Sequence, residues 1–337
     1  MRRLFTSCLV LPFLAACSSE AAKAGSDPLK APLGLEKATL VTPADNPLTA
    51  AKVELGKQLF FDARLSGSGK MSCSSCHFPE QAFTDGKAVS TKDDGTDNTR
   101  NSPTMYNVGY LDKFYWDGRA PSLEKNIDAA WKAQIAGKPD AAAALIAAVP
   151  AYDKAFKEAF NAPPSADTIV KALASFLRAL RSGDSQFDRW QAGLDNSVSD
   201  AAKAGYEVFM GKGGCVVCHT PPLFTDKSFH NVGIGMKADK PDVGAGGEKA
   251  LNDPARKGAF KTPTLRNVAK TAPYLHDGSA KTLAEVVKIM SGGGIDNPNK
   301  DPLMVNRGLT DEEQAQLVAF LETLTGNDKW QAPVVPK

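Results

Sequence analysis

The apolar residues of this chain recur with a helical period wherever the pattern is strong enough to assign. In the middle of the chain, one helical face is formed by Ile169, Leu173, Phe176, Leu177 and Leu180. Gly183 then marks the end of that helix. Near the C-terminus, Thr310 and Glu313 form a capping box, and Gly326 ends the helix that follows. No run alternates convincingly as a strand, so the pattern predicts an all-α fold.

The chain also contains an internal repeat. Residues 102–127 align with residues 262–287 without a gap. The positions that are identical in both copies are, in first-copy numbers, Pro103, Thr104, Asn107, Val108, Asp117, Gly118, Ala120 and Leu123. A weaker echo, Phe-Thr-Asp, stands at residues 83–85 and again at residues 224–226. The repeat therefore predicts two homologous domains in tandem.

Each copy is preceded by one Cys-x-x-Cys-His motif. The motif residues are Cys73, Cys76 and His77 in the first half, and Cys215, Cys218 and His219 in the second. This spacing is typical of c-type haem attachment, in which two thiols add to the two vinyl groups of one porphyrin and the histidine ligates the iron. Zinc binding and a redox dithiol are the alternatives for a Cys-x-x-Cys pair. Because each pair is followed directly by histidine, the sequence predicts two covalently bound haem c groups.

The repeat allows the two distal sides to be compared. Met290 follows the second copy, and its counterpart in the first half is Ala130. A thioether is a soft iron ligand, and His/Met coordination raises haem potential, whereas alanine cannot ligate iron. The alternative is that Met290 only packs in a core. The comparison predicts one closed, high-potential haem and one haem with an open face.

Charge and the N-terminus bear on partners and localisation. The formal net charge is +2, and Arg2 and Arg3 supply both charges, so nothing indicates a nucleic-acid partner. A short apolar stretch and Leu-Ala-Ala-Cys then resemble a lipoprotein signal over residues 1–16, with Cys17 as the lipidated residue. Ordinary cleavage without a lipid is the alternative. We expect a periplasmic protein that is anchored to the membrane through this lipid.

The domain organisation follows from these features. Residues 17–45 are rich in small and polar residues and predict a flexible tether. Residues 46–195 are expected to form the N-terminal haem domain, and residues 196–337 the C-terminal haem domain. The predicted architecture is thus two all-α cytochrome c-type domains in tandem.

From about residue 50 to residue 326, the chain resembles the bacterial di-haem cytochrome c peroxidases, a family that includes the MauG-type protein-oxidising enzymes. The motifs that carry the resemblance are Asn101-Ser102-Pro103-Thr104, Trp116-Asp117-Gly118-Arg119, Thr262-Pro263-Thr264-Leu265-Arg266-Asn267 and Tyr274-Leu275-His276-Asp277-Gly278. The resemblance implies that the N-terminal haem reduces hydrogen peroxide. It also implies that the C-terminal haem takes electrons from a small cytochrome c or cupredoxin, and that the protein forms a homodimer.

The resemblance implies roles for individual residues. Met290 matches the family's axial methionine, where MauG-type enzymes have tyrosine. Trp116 matches a tryptophan between the haems, an electron relay, although a plain core role is the alternative. A calcium site between the domains is implied for Asn101 with backbone groups of Thr271 and Pro273, and hard oxygen ligands suit that ion. Arg119 and Arg266 are expected to pair with haem propionates or to form other salt bridges.

The sequence departs from the family pattern at several positions. Many family members cap the resting N-terminal haem with a histidine in the loop before Asn-Ser-Pro-Thr, but Asp93 stands there. The family's distal Gln, Pro and Glu align with Asn126, Ala130 and Ala136. Gln134 is the nearest polar candidate for the missing glutamate.

Peroxide cleavage profits from a group that moves a proton between the two oxygens, so the missing glutamate matters for function. Three hypotheses follow: a peroxidase with an external electron donor, a MauG-type enzyme that oxidises a partner protein, and a non-catalytic electron-transfer or sensor cytochrome. The open iron favours the enzymes, the missing glutamate favours the cytochrome, and Met290 counts against the MauG type.

Overall fold

The computed structural model describes residues 29–194, 196–328 and 330–337. The predicted signal peptide and Cys17 lie outside these residues. The α-helices of the described part are α1 (Ala50–Phe60), α2 (Leu123–Gln134), α3 (Pro139–Ala147), α4 (Pro150–Phe160), α5 (Ala166–Ala179), α6 (Gln186–Gln191), α7 (Asp200–Met210), α8 (Leu283–Ser291) and α9 (Asp311–Glu322). Two short strands, β1 (Phe229–His230) and β2 (Phe260–Lys261), pair antiparallel. The predicted all-α fold is confirmed.

The first domain is built around the crossing of α1 and α5. Gly56 lies at the crossing, and a β-carbon there would come within 1.9 Å of the Ala172 carbonyl oxygen. Only glycine lets the two backbones approach this closely. The apolar face of α5, including Ile169, Leu173 and Phe176, is buried in the first core. The helix begins at the N-cap Ser165, whose side chain accepts a hydrogen bond from the Thr168 amide.

The second domain repeats this arrangement with α7 and α9. Gly205 replaces Gly56 at the crossing, and a β-carbon there would lie 1.9 Å from the Gln316 carbonyl oxygen. The predicted capping box of Thr310 and Glu313 starts α9, as the sequence indicated. Leu317 and its neighbours on that helix then pack into a separate second core. Two homologous domains with separate cores account for the internal repeat.

Helices α2 and α8 are the equivalent helices of the repeat. Each follows a serine or threonine N-cap, Ser122 for α2 and Thr282 for α8. In the first domain α3 and α4 lie between α2 and α5, whereas the described residues between α8 and α9 carry no α-helix. The distal elements of the two domains therefore differ in size although their proximal elements match.

Helix α6 belongs to the predicted first domain by sequence, yet it packs on the second core. Phe187 is part of that core. The carboxylate of Asp188 receives both Nη groups of Arg266, at 2.8 and 2.9 Å, and the two side chains are 3% and 1% exposed. Removing one partner of such a buried pair leaves an uncompensated charge and costs about 3–5 kcal/mol. The pair therefore fixes α6 to the second domain.

Candidate haem sites

The first Cys-x-x-Cys-His motif presents its histidine in a defined orientation. Cys73 begins a short 3-10 turn that ends before Cys76, and His77 follows. The Nδ1–H of His77 donates a hydrogen bond to the carbonyl oxygen of Phe83, with an N···O distance of 2.8 Å. A carbonyl only accepts, so Nδ1 carries the proton and Nε2 is left to ligate iron.

The second motif has the same geometry. Cys215 begins the turn, and the Nδ1–H of His219 donates to the carbonyl oxygen of Phe224 at 3.0 Å. Such a bond fixes the ring orientation and raises the basicity of the ligating nitrogen. The two motifs are therefore equivalent proximal sites, one in each domain.

The two accepting carbonyls are held by an uncommon backbone conformation. Phe83 and Phe224 have φ values of 59° and 54°, in the left-handed region that non-glycine residues rarely adopt. A residue in this region costs about 1–3 kcal/mol, which the surrounding packing must offset. The Phe-Thr-Asp echo in the sequence marked this position, but the positive φ and its purpose were not evident from it.

Burial sets the protonation of both histidines. It lowers the pKa of His77, against the opposing hydrogen bond to Phe83, and it lowers the pKa of His219 in the same way. Both imidazoles are therefore neutral at pH 7, which is the form that binds a metal.

Burial also raises the pKa of the Cys73 thiol to about 12 and that of Cys215 to about 11. Zinc sites and redox dithiols depend on an easily formed thiolate. Burial of these two sulfurs suits the uncharged thioether that joins a cysteine to haem.

A cavity of about 310 Å³ adjoins the second motif. Cys215, Cys218, His219 and Met290 all line it. Met290 reaches it from α8, close to the end of that helix. The attachment thiols, the proximal histidine and the predicted distal methionine are thus brought to one apolar chamber.

The corresponding helix of the first domain offers no such ligand. Ala130 lies on α2 at the position that Met290 occupies on α8. Gln134 follows one turn later on the same helical face. Its side-chain oxygen is buried and has no hydrogen-bond partner in the described part of the chain.

The loop that would carry a capping histidine is folded on itself. Within it, the amide of Lys92 donates to the Thr96 carbonyl. The carboxylate of Asp93 accepts hydrogen bonds from the amide and hydroxyl of Ser68, and its own amide donates to the carbonyl of Gln134. Asp93 is therefore engaged with neighbouring residues.

Trp116 connects the two domains through hydrogen bonds. Its Nε1–H donates to the carbonyl oxygen of Asn101 at 2.9 Å, and the Asn101 amide donates to the carbonyl of His276 at 2.7 Å. Trp116 also lines the cavity of the second domain. The imidazole of His276 is buried and stacks on Phe260 with ring centroids 3.6 Å apart.

The three residues predicted for calcium, which are Asn101, Thr271 and Pro273, all line the cavity that adjoins the second motif. The Asn101 side-chain amide donates to the carbonyls of Lys87 and Ala88. Among the described residues no donor reaches its side-chain oxygen, so this oxygen is available to a hard cation.

The remaining predicted site residues have other partners. Arg119 pairs with Asp117 at 2.8 Å and lies 3.6 Å above the ring of Tyr115. Asn126 accepts a bond from the Tyr115 hydroxyl through its backbone carbonyl. The guanidinium of Arg266 is bound by the carboxylate of Asp188. The contact of Arg119 or Arg266 with a haem propionate stays a prediction. Tyr115 was not singled out from the sequence, although it directly precedes Trp-Asp-Gly-Arg.

His230 forms a second polar cluster beside the C-terminal motif. Its two ring nitrogens lie 2.9 Å from Asp226 and 2.6 Å from Asp301. The Cys218 thiol and these two carboxylates raise the pKa of His230 to about 10. When Cys218 is bonded to haem, the carboxylates remain and still favour the imidazolium. This ring joins β1 to the loop after α8 through Asp301.

Two proximal sites of this kind on tandem helical domains define a di-haem c-type cytochrome. The family model described as di-haem cytochrome c peroxidase matches residues 50–196, and the cytochrome c model matches residues 202–325. Within the described part of the chain, no helix has the length and apolarity needed to cross a membrane.

Similar proteins agree on the class. Cytochrome-c peroxidase IdrP1 of Denitromonas iodatirespirans is 37% identical over 348 residues, covering 94% of this chain and 92% of that protein. Methylamine utilization protein MauG of Methylorubrum extorquens is 40% identical over 286 residues, covering 84% and 80%. The crystal structure of a MauG-like protein associated with microbial copper homeostasis superposes with a TM-score of 0.80 at 34% identity, covering 86% and 94%.

The chain belongs to the family of di-haem cytochrome c peroxidases and MauG proteins. It is a peroxidase-type oxidoreductase with two haem c groups, as the motifs predicted.

We predict that the Met290→Ala variant loses the thioether-to-iron absorption band at the red edge of the visible spectrum. The potential of the C-terminal haem should fall, because a thioether favours the ferrous iron. Spectroelectrochemical titration measures both quantities. Met304→Ala is the matched control, since Met304 lines the same cavity. A band that survives in Met290→Ala, or that disappears in Met304→Ala, would reject Met290 as the ligand.

Proposed function

We propose that this protein reduces hydrogen peroxide to water at the N-terminal haem, with electrons that enter at the C-terminal haem. The observation that carries the proposal is the comparison of α2 with α8, the equivalent helices of the two domains. Met290 lines the chamber of the C-terminal motif, whereas Ala130 holds the equivalent place in the first domain. Alanine leaves the distal side of His77 without a ligand from this helix.

The reaction is H₂O₂ + 2 e⁻ + 2 H⁺ → 2 H₂O. The haem irons supply the redox chemistry when bound. The chain contributes orientation and protons. His77 is kept neutral by burial and is aligned by the Phe83 carbonyl. Gln134 offers an amide to hold peroxide, but an amide does not exchange protons as a carboxylate does. We therefore infer a slow peroxidase in which solvent delivers the protons.

The surface around the C-terminal motif supports electron entry at this site. Val217, Leu303 and Val305 line the chamber and are 52%, 46% and 48% exposed. Exposed apolar groups clustered at a redox site suit a weakly bound protein donor. A small cytochrome c or cupredoxin of the periplasm fits this surface.

The interdomain contacts support transfer from one site to the other. Trp116 lines the chamber and is bonded to the backbone of Asn101, which is bonded in turn to His276. These two hydrogen bonds link the domains through direct protein contacts. Trp116 is therefore our candidate relay.

We further propose that calcium binds where Asn101, Thr271 and Pro273 meet. The support is the unpaired side-chain oxygen of Asn101 together with two nearby backbone segments. The ion would supply only positive charge and rigidity where the two domains meet. It would hold in place the Asn101 carbonyl that accepts the hydrogen bond of Trp116.

Oxidation of a partner protein is the second candidate function. It is favoured by the MauG proteins among the relatives. It is disfavoured by Met290, where MauG-type enzymes have tyrosine. A non-catalytic cytochrome or sensor is the third, and steady-state turnover separates it from both enzymes.

We predict that peroxide oxidises a reduced small cytochrome c in the presence of this protein, with two donors consumed per peroxide. Gln134→Glu should raise kcat at least about tenfold, because a proton-transferring carboxylate is worth roughly 10²–10⁴ in rate. Stopped-flow and steady-state assays measure these rates.

Ala133→Glu is the matched control for that variant, because it adds the same carboxylate to the exposed face of α2. Its kcat should equal that of the wild type. No donor oxidation by either the wild type or Gln134→Glu would refute the peroxidase proposal. Donor oxidation that needs pre-reduction would show a capped N-terminal iron.

We propose that the protein is a periplasmic lipoprotein, on the strength of Leu-Ala-Ala-Cys at residues 14–17. Wild-type protein should partition into detergent if several acyl chains are attached, because a single chain binds only marginally. Cys17→Ser removes the site of acylation and should release soluble protein. Mass spectrometry of the mature N-terminus checks the modification. An unmodified, soluble wild-type protein would contradict the proposal.

A further inference from the structure

The phenylalanine behind each proximal histidine sits in an aromatic cluster. In the second domain, the ring of Phe224 packs against Phe209 and Phe187 with centroids 5.9 and 5.5 Å apart. In the first domain, the ring of Phe83 packs against Phe60 at 6.0 Å and against Trp330 at 5.2 Å. Phe60 and Phe209 are equivalent, since they lie on α1 and α7.

The other two aromatic residues reach their clusters from the opposite domain. Phe187 follows α5, the last helix of the first domain, but packs in the second. Trp330 follows α9, the last helix of the second domain, but packs in the first. The two domains thus exchange equivalent segments, and each segment completes the proximal cluster of the other domain.

Backbone hydrogen bonds support the equivalence of the two segments. Asn107 donates its amide to the carbonyl of Leu180, and its side chain binds Ser182 just after α5. Asn267, its partner in the repeat, donates its amide to Leu324 just after α9. The exchange is therefore a property of the repeat and not of one loop.

The Trp330 side chain has contacts on several sides. Its ring stacks on Phe61 at 6.2 Å and lies 5.5 Å from Phe176. The ammonium of Lys57 lies 4.9 Å from its centroid. The C-terminal tail also contacts the first domain, since the guanidinium of Arg64 donates a hydrogen bond to the Pro336 carbonyl at 2.5 Å.

Its surroundings do not suit an electron relay. The buried Nε1–H of Trp330 has no acceptor among the described residues, and the Lys57 cation opposes positive charge on the ring. An oxidised indole would be stabilised neither by losing a proton nor by its neighbours. Trp116, whose Nε1–H has an acceptor, differs in this respect.

We propose that Trp330 is a positioning residue for His77. It wedges against the Phe83 ring and holds the carbonyl of that residue on the Nδ1–H of the proximal histidine. The C-terminal tail thereby sets the strength of the iron–histidine bond in the N-terminal haem. This inference needs only haem at the first motif and does not depend on peroxide being the substrate.

The test uses the holoprotein of Trp330→Leu, which keeps an apolar side chain but loses the indole ring that packs on Phe83. Resonance Raman spectroscopy of the reduced protein should show the iron–histidine stretch of the N-terminal haem at lower frequency. The potential of that haem should rise, because a weaker hydrogen bond makes a less basic ligand. Peroxide turnover should fall about tenfold, as when other supporting partners of metal ligands are lost.

Phe187→Leu is the reciprocal variant, and it should shift only the C-terminal haem. Val334→Ala, at a tail position that is 90% exposed, should change neither haem. If Trp330→Leu folds poorly, Trp330→Phe keeps a ring and should give a smaller shift in the same direction.

An unchanged iron–histidine band in both Trp330 variants, or equal changes at both haems, would overturn the inference. A shifted band in a protein without peroxide turnover would uphold the positioning role while refuting the proposed function.

Discussion

The hydrogen bond from each proximal histidine to a phenylalanine carbonyl constrains the whole architecture. Phe83 and Phe224 must stay in the left-handed region for this bond to exist, at a cost of about 1–3 kcal/mol each. The aromatic clusters offset that cost by fixing the two rings. Because an aromatic residue of each cluster comes from the other domain, neither proximal site is complete within its own domain.

The functional difference that we propose between the domains lies on the distal side. Helix α8 carries Met290, which lines the cavity of the C-terminal motif, and its counterpart α2 carries Ala130. The proximal geometry is nearly the same in both, so in our proposal the distal ligand sets the two haem potentials apart. Trp116 and Asn101 join the two domains through hydrogen bonds that reach the His276 carbonyl.

The sequence predicted the features that depend on local spacing. The haem motifs, the helical class and the capping box of Thr310 follow from patterns within a few residues, and the homologous domains follow from the gap-free repeat of residues 102–127 at residues 262–287. It could not predict features that depend on long-range packing. Arg266 was expected to pair with a haem propionate or to form another salt bridge, and the sequence could not name Asp188, which is distant along the chain, as its partner. The role of Trp330 could not be foreseen, since its contacts are with residues of the first domain.

The central claim is that one iron is open and the other closed. Electron paramagnetic resonance of the fully oxidised holoprotein tests it most directly, before and after addition of cyanide. We expect one high-spin and one low-spin signal, with cyanide converting the high-spin signal without prior reduction. Two low-spin signals and no cyanide binding would contradict the account, because a ligand would then occupy the distal side of the His77 haem.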